Sequence, residues 1–304
     1  MSADIGIIVQ GPLITFGQGP NNSVEGFNTL NTIINNIKNI RKAGFKYIIA
    51  TWKPSNSDEE LILENLSENN FNVLILDTPA VFDPDHRYKH HYGIYKGMEE
   101  LKKAQEIRFF AKIRTDMLMP VEFYSFLEAK RNENSPKLFV SHLLNSAFYI
   151  GDFVYAGNSI VLEKFLKSMV LSEKIIHPSI SHDIGLKYFL SINEERKKQF
   201  RNNIFDIYKN FVFDIQSVEK IWADFTEKNL ETFSKNLWQE ILWRDKKIEN
   251  VVNSDFFLFS TEFCYERANF KKLFGLICED YKRYMSKSRN IALYHIFNLA
   301  GKVF

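Results

Sequence analysis

Up to Asp116 the chain alternates between short apolar runs of strand length and longer stretches with apolar residues every three or four positions. Ile5-Gly6-Ile7-Ile8-Val9 reads as a strand, broken by Gly11-Pro12. Asn28 to Ala43 reads as a helix, with Leu30, Ile33, Ile34, Ile37 and Ile40 on one face and Gly44 as its stop. Tyr47 to Ala50 is the next strand, ending in Thr51-Trp52-Lys53-Pro54. Ser57 to Asn69 is a second helix, with Ser57 as N-cap and acidic residues in its first turn. Val73 to Leu76 is a third strand, ending at Asp77. A loop rich in Asp, His and basic residues runs through His90, and Tyr92 to Ala104 is a third helix. The apolar Phe109-Phe110-Ala111 then opens a fourth strand, which delivers Lys112-Ile113-Arg114-Thr115-Asp116. Strands separated by helices are joined by crossovers, so the order predicts an α/β fold, a mainly parallel sheet flanked by helices.

Beyond Pro120 the pattern changes. Val121 to Arg131 reads as helix, Lys137 to His142 as extended, and Phe148 to Ala156 as a strand containing Asp152. Ser159 to Leu171 and the segment opened by Ser181-His182-Asp183 read as helices. From Ser217 onward strand signals are sparse, and helical patterns carrying Trp222, Phe233, Leu237 and Ile241 dominate. The expected division is a catalytic domain over 1–215 and a helical C-terminal region over 216–304.

Composition narrows the class. The 304 residues are 45% hydrophobic, with 28 phenylalanines, enough for a large core. A net charge of +2 gives no footprint for a nucleic-acid partner. Cys264 and Cys278 stand apart, without metal-ligand or disulfide-framework spacing, which fits a reducing, cytoplasmic setting. No basic leader with an apolar core opens the sequence, and no apolar run reaches the ~18 residues of a membrane span. The Gly-x-Gly-x-x-Gly dinucleotide fingerprint is missing after the first strand, as is a Gly-Lys-Ser/Thr phosphate loop.

Ligands of open α/β sheets sit at the carboxyl ends of the strands. Asp116 stands at such an end. A carboxylate there can hold a divalent cation against a diphosphate, and Arg114 beside it can neutralise the same group. Many diphosphate sites use Asp-x-Asp, whereas here Arg114 takes the first place. One protein carboxylate with diphosphate oxygens and water would then complete the shell of Mn²⁺ or Mg²⁺. The alternative is that Arg114 meets the diphosphate with no metal.

Val9-Gln10-Gly11-Pro12, Ile49-Ala50-Thr51-Trp52-Lys53, Lys112-Ile113-Arg114-Thr115-Asp116 and Asp152-Phe153-Val154-Tyr155-Ala156-Gly157 occur in that order. Together they resemble successive motifs of the WavE-type lipopolysaccharide-synthesis proteins, over roughly residues 4–190. The resemblance implies a GT-A-like glycosyltransferase with a nucleotide-sugar donor and a glycan or glycolipid acceptor of the bacterial surface. On that footing Gln10, Gly11 and Pro12 line the nucleotide loop, Thr51 and Trp52 meet the base, and Asp77 meets the ribose or base. Arg87 and Lys89 face the diphosphate with Arg114, and Asp116 holds the metal. Asp183, at a helix start, is the expected catalytic base, with His182 beside it as its rival and Asp152 as the second carboxylate for that role. The segment Asp83 to His91 departs from the resemblance, and so does everything after about residue 215.

Two features invite other readings. His86, His90 and His91, with Asp83 and Asp85 close by, could bind zinc, but Pro84 and the strand-to-helix context favour a polar loop over the donor. From Tyr265 to Phe304, eight Lys/Arg face three acidic residues, interleaved with Ile291, Leu293, Tyr294, Ile296, Phe297 and Leu299. A basic amphipathic end of this kind suits an anionic membrane surface, hence an enzyme peripheral to the inner membrane. Rival classes are a nucleotidyltransferase making the nucleotide-sugar, for which Gly11 to Thr15 is too poor in basic residues, and a non-catalytic glycan-binding component.

Overall fold

The computed structural model describes residues 4–16, 26–81, 83, 86–104, 106–144, 147–171, 180–194, 215–250 and 257–258. The first half comprises β1 (Ile5–Gln10), a small ribbon of β2 (Ile14–Thr15) and β3 (Phe27–Asn28), α1 (Leu30–Lys42), β4 (Lys46–Trp52), α2 (Ser57–Glu68), β5 (Val73–Leu76), α3 (Arg87–Ala104) and β6 (Phe109–Arg114). Then come β7 (Met117–Leu118), α4 (Val121–Glu133), β8 (Leu138–Val140), β9 (Leu143–Leu144), β10 (Tyr155–Asn158), α5 (Ser159–Val170) and α6 (Ile180–Ile192). The last described elements are α7 (Ile215–Asn229), β11 (Leu230–Thr232), α8 (Lys235–Gln239), β12 (Leu242–Trp243), β13 (Lys246–Lys247) and β14 (Phe257–Leu258).

A seven-stranded sheet runs in the order β11-β8-β10-β6-β1-β4-β5. β5, β4, β1 and β6 are parallel, β10 is antiparallel to β6 and β8, and β11 is parallel to β8. This is the mainly parallel α/β architecture expected, with helices on both faces. β1 is buried at all six positions, as a central strand covered on both sides must be. Ile5, Ile7 and Val9 share one core with Ile33, Ile37 and Ile40 of α1, Ile62 and Leu66 of α2, and Phe123 and Leu127 of α4. Ile8 faces the other core, with Ile94, Met98 and Leu101 of α3 and Leu162, Phe165 and Leu166 of α5. α3 lies close on the sheet because Gly97 has no side chain. A Cβ there would stand 2.8 Å from Ile8 Cγ2 and 3.3 Å from Ile48 Cγ2.

Several boundaries differ from the expectation for identifiable reasons. α2 is capped by Asn56, whose side chain accepts from the Glu59 amide, so Ser57 is its first residue. α3 begins at Arg87, five residues before the expected Tyr92. The Asp83 carboxylate accepts from the Tyr88 and Lys89 amides, which satisfies the open N–H groups of the helix start. The histidine-rich stretch is therefore the first turns of a helix. β10 starts only at Tyr155, leaving Asp152 in the preceding loop. Residues after 215, expected to be helical, include α7 but also return strands to the earlier part of the chain. β11 joins the main sheet beside β8, and β12 pairs with β7. The boundary at 215 therefore does not separate two cores, since Trp222 and Leu230 lie in one core and Phe233 and Trp238 in the other.

Candidate active site

Side chains alternate across a strand, so register fixes which residues share a face. Gln10 pairs with Arg114 and Ala50, and Lys112 pairs with Ile8 and Tyr155. Gln10, Trp52, Lys112, Arg114 and Tyr155 thus belong to the face covered by α3, at the carboxyl ends of the strands. α3 presents Gly93 there, with Gln10 and Trp52 as its neighbours. Thr51 points to the opposite face. Both Gln10 Oε1 and Thr51 Oγ1 are buried without a hydrogen-bond partner among the described residues.

The loop after β1 is pinned by Thr115. Its amide donates to the Gln10 carbonyl at 3.2 Å and its hydroxyl to the Pro12 carbonyl at 2.9 Å. Gly11 has φ 151°, and a Cβ would run into Thr115 Oγ1. Both facts demand glycine at this position. Pro12 is exposed at the rim.

Asp116 is 1% exposed and holds the densest polar network of the site. Its Oδ1 accepts from Arg114 Nε at 2.8 Å. Its Oδ2 accepts from Arg114 Nη2 at 3.1 Å, Trp243 Nε1 at 3.0 Å and Arg244 Nε at 3.1 Å. Burial alone would raise its pKa. The charge and hydrogen bonds of Arg114, the Trp243 N–H and the Arg244 charge override this and hold the carboxyl well below the usual range. The segment that follows is fixed by buried Asn36, whose amide donates to the Met117 carbonyl and accepts from the Met119 amide. The Arg114 guanidinium rests against the edge-to-face pair of Phe153 and Trp243, 5.7 Å from each centroid, the two rings being 5.4 Å apart. Its Nη1 has no acceptor among the described residues. Arg114 is the partly exposed cation of this network, at 23%.

One step back along β6, Lys112 is fully buried. Its Nζ lies 2.8 and 3.0 Å from the carbonyls of Asp152 and Phe153, and 2.9 Å from His90 Nε2. Burial, then the Arg114 charge, pulls its pKa well below the ordinary lysine value. His90 is lowered likewise by burial and by Lys112. Burial takes His91 down to about 4 against the opposing hydrogen bond with the Arg87 carbonyl. The half-buried Asp152 carboxylate is near enough to act on the charge of Lys112, Arg114 and His91. It accepts no hydrogen bond from the described residues. The geometry thus gathers Gln10, Trp52, Lys112, Arg114, Asp116 and Asp152 into one place.

Other expected residues are engaged in different contacts. Asp183 is 1% exposed in the first turn of α6, 3.4 Å from Arg87 Nη1 and 3.2 Å from Lys187 Nζ. It is enclosed among buried cations, one of them Arg87. Asp77 is exposed and pairs with Lys53 at the outer edge of the sheet. Lys89 is half-buried, and its amide is used in capping α3. Among the described residues no three His, Cys, Asp or Glu come together as a metal site. Asp85, Cys264, Cys278 and the basic C-terminal stretch lie outside the described residues. No helix of the described residues is long and apolar enough to cross a membrane.

Sequence reasoning missed Trp243 and Arg244, which reach the site from far along the chain. The local signal was slight. Arg244 and Asp245 adopt positive φ (50° and 64°) in the turn of the β12–β13 hairpin, and Asp fits such a turn while Arg does not announce one.

No family model and no curated protein matches the chain. Solved structures that are similar include HddC from Yersinia pseudotuberculosis, both as such and complexed with GMP-PN. Each is 12% identical and is matched over 52% of this chain and 78% of that one, with TM-scores of 0.34 and 0.31 respectively. At TM-scores this low the likeness has no bearing on function.

Proposed function

We propose that the chain is an enzyme, a glycosyltransferase that moves a sugar from a nucleotide-sugar donor to a bacterial lipopolysaccharide or capsular polysaccharide acceptor. The observation that carries this reading is Arg114, held by buried Asp116 at the carboxyl end of a central parallel strand. A guanidinium so placed suits a diphosphate, which takes planar, paired N–H donors. Gln10 and Trp52 at neighbouring strand ends offer an acceptor oxygen and an aromatic face to a base. The ordered motifs resembling WavE-type proteins support the polysaccharide acceptor. The basic C-terminal stretch supports a peripheral place at an anionic membrane.

Transfer that inverts the anomeric centre needs a base for the acceptor hydroxyl. Asp152 suits this better than Asp183, because its carboxylate is half-exposed and lies beside Arg114 and Lys112. Asp183 is enclosed by Arg87 and Lys187.

The test is a panel of nucleotide-sugars, each incubated with the protein and a bacterial glycan extract, with released nucleotide as the readout. Release that requires both donor and extract, and fails in Arg114→Ala, is the expected result. No release from any donor, by protein verified as folded, would sink the proposal.

A further inference from the structure

The strand-end motif raises the question of what neutralises the donor's diphosphate, and the donor set at Asp116 answers it. A divalent cation of the magnesium or manganese class takes about six oxygen ligands and is anchored by one or two carboxylates with free lone pairs. An ionised carboxylate has roughly four acceptor sites. Asp116 meets four N–H donors, three on Oδ2 (Arg114 Nη2, Trp243 Nε1 and Arg244 Nε) and one on Oδ1 (Arg114 Nε). Without displacing a bond a dication could take only the second lone pair of Oδ1, on a side chain 1% exposed and paired to two guanidinium charges. The next carboxylate, Asp152, lies beside Lys112 and Arg114, which is again a cationic setting. These residues do not fit a divalent cation.

They do fit an anion. Arg114 is anchored through Nε and Nη2 and rests against the Phe153–Trp243 ring pair, while Nη1 keeps unused donor capacity. The restraint is set before any ligand arrives, so little side-chain freedom is lost on binding.

We infer that Arg114, locked by Asp116 and backed by the Phe153–Trp243 ring pair, takes the place of a metal ion, and that this site binds a nucleoside diphosphate without any divalent cation. The inference rests on the proposed donor class.

Calorimetric titration of the full chain with UDP, GDP, ADP and CDP, in excess EDTA and separately in excess MnCl₂, tests it. At least one nucleotide should bind, with dissociation constants in the two conditions agreeing within about threefold, under 1 kcal/mol. Arg114→Ala should weaken that nucleotide by about 10- to 100-fold in both conditions, the loss of a charge-assisted contact. Arg114→Lys keeps the charge but not the fork and should fall between. Should Arg114→Ala fail to fold, the wild-type comparison still decides. Binding seen only with Mn²⁺ would overturn the inference and leave the donor reading intact. Absence of binding by all four nucleotides in both conditions would overturn both.

Discussion

Replacing Asp116 by Ala should cost stability first and activity as a consequence. The side chain accepts four hydrogen bonds in a buried setting, but they are unequal. Arg114 is partly exposed and can turn to water, so its two bonds are partly recovered. The bonds from Arg244 Nε and Trp243 Nε1 come from buried or half-buried donors that water reaches poorly. Two hydrogen bonds to a charged group are worth about 3–6 kcal/mol. Breaking a buried ion pair by removing one partner costs about 3–5 kcal/mol. Both routes place Asp116→Ala near 4 kcal/mol, about half the stability of an ordinary domain. Urea unfolding followed by circular dichroism measures it. A cycle with Arg244→Met adds a sharper check, since the double variant should lose clearly less than the sum of the singles. The pH dependence has a definite sign. The folded carboxyl lies below its unfolded value, so its contribution is complete above about pH 4 and is lost as pH falls further. Asp116→Asn should flatten that acid limb. A loss under about 0.5 kcal/mol for Asp116→Ala, within the range of ordinary surface changes, would refute the view of Asp116 as a structural hub.

Three further outcomes are expected, two from the same geometry and one from the sequence of the C-terminal stretch. Asp152→Asn should lower kcat by about 10²- to 10⁴-fold with donor affinity unchanged, as for a positioned base; unchanged turnover removes Asp152 from the chemistry. Asp183→Asn takes a buried charge from Arg87 and Lys187 and should cost about 3–5 kcal/mol in urea unfolding, while the folded fraction turns over normally. A stable Asp183→Asn protein with kcat reduced would instead restore Asp183 as the base. Truncation at about Ser286 should weaken sedimentation with anionic liposomes, and binding by the intact chain should fall with salt, at about 1 kcal/mol per basic residue near the surface. An intact chain that ignores such liposomes at low salt would count against the anchor.

What could be read from the sequence was what is local. β1, β4, β5 and β6 are apolar runs with turn residues behind them, and α1 shows its buried stripe at Ile33, Ile37 and Ile40. The ends of these strands follow directly, so Gln10, Trp52 and Arg114 were legible as one edge. What was not legible depends on distant partners. β11 is the three-residue Leu-Glu-Thr, and only its ladder with Leu138 to Val140 makes it a strand. Asp116 reads as a metal ligand in a window of six residues because its second guanidinium lies 128 positions away. Asp183 at a helix start looks like an available base, and only tertiary packing shows it enclosed by Arg87 and Lys187.

The return of Trp243 and Arg244 to Asp116 also bears on how the protein comes into being. A chain emerging from the ribosome can close β5-β4-β1-β6 early, because those strands lie within its first 114 residues. Asp116 is then synthesised long before two of the donors that complete its shell. Until Arg244 has cleared the exit tunnel, the carboxylate has Arg114 alone, and β7 lacks the β12 strand that pairs with it. The ligand-facing edge is thus finished near the end of synthesis, after the sheet that supports it. A fragment ending at residue 215, however well it held its sheet, would leave the shell of Asp116 unfinished. A truncated chain meant to test binding must extend past Arg244.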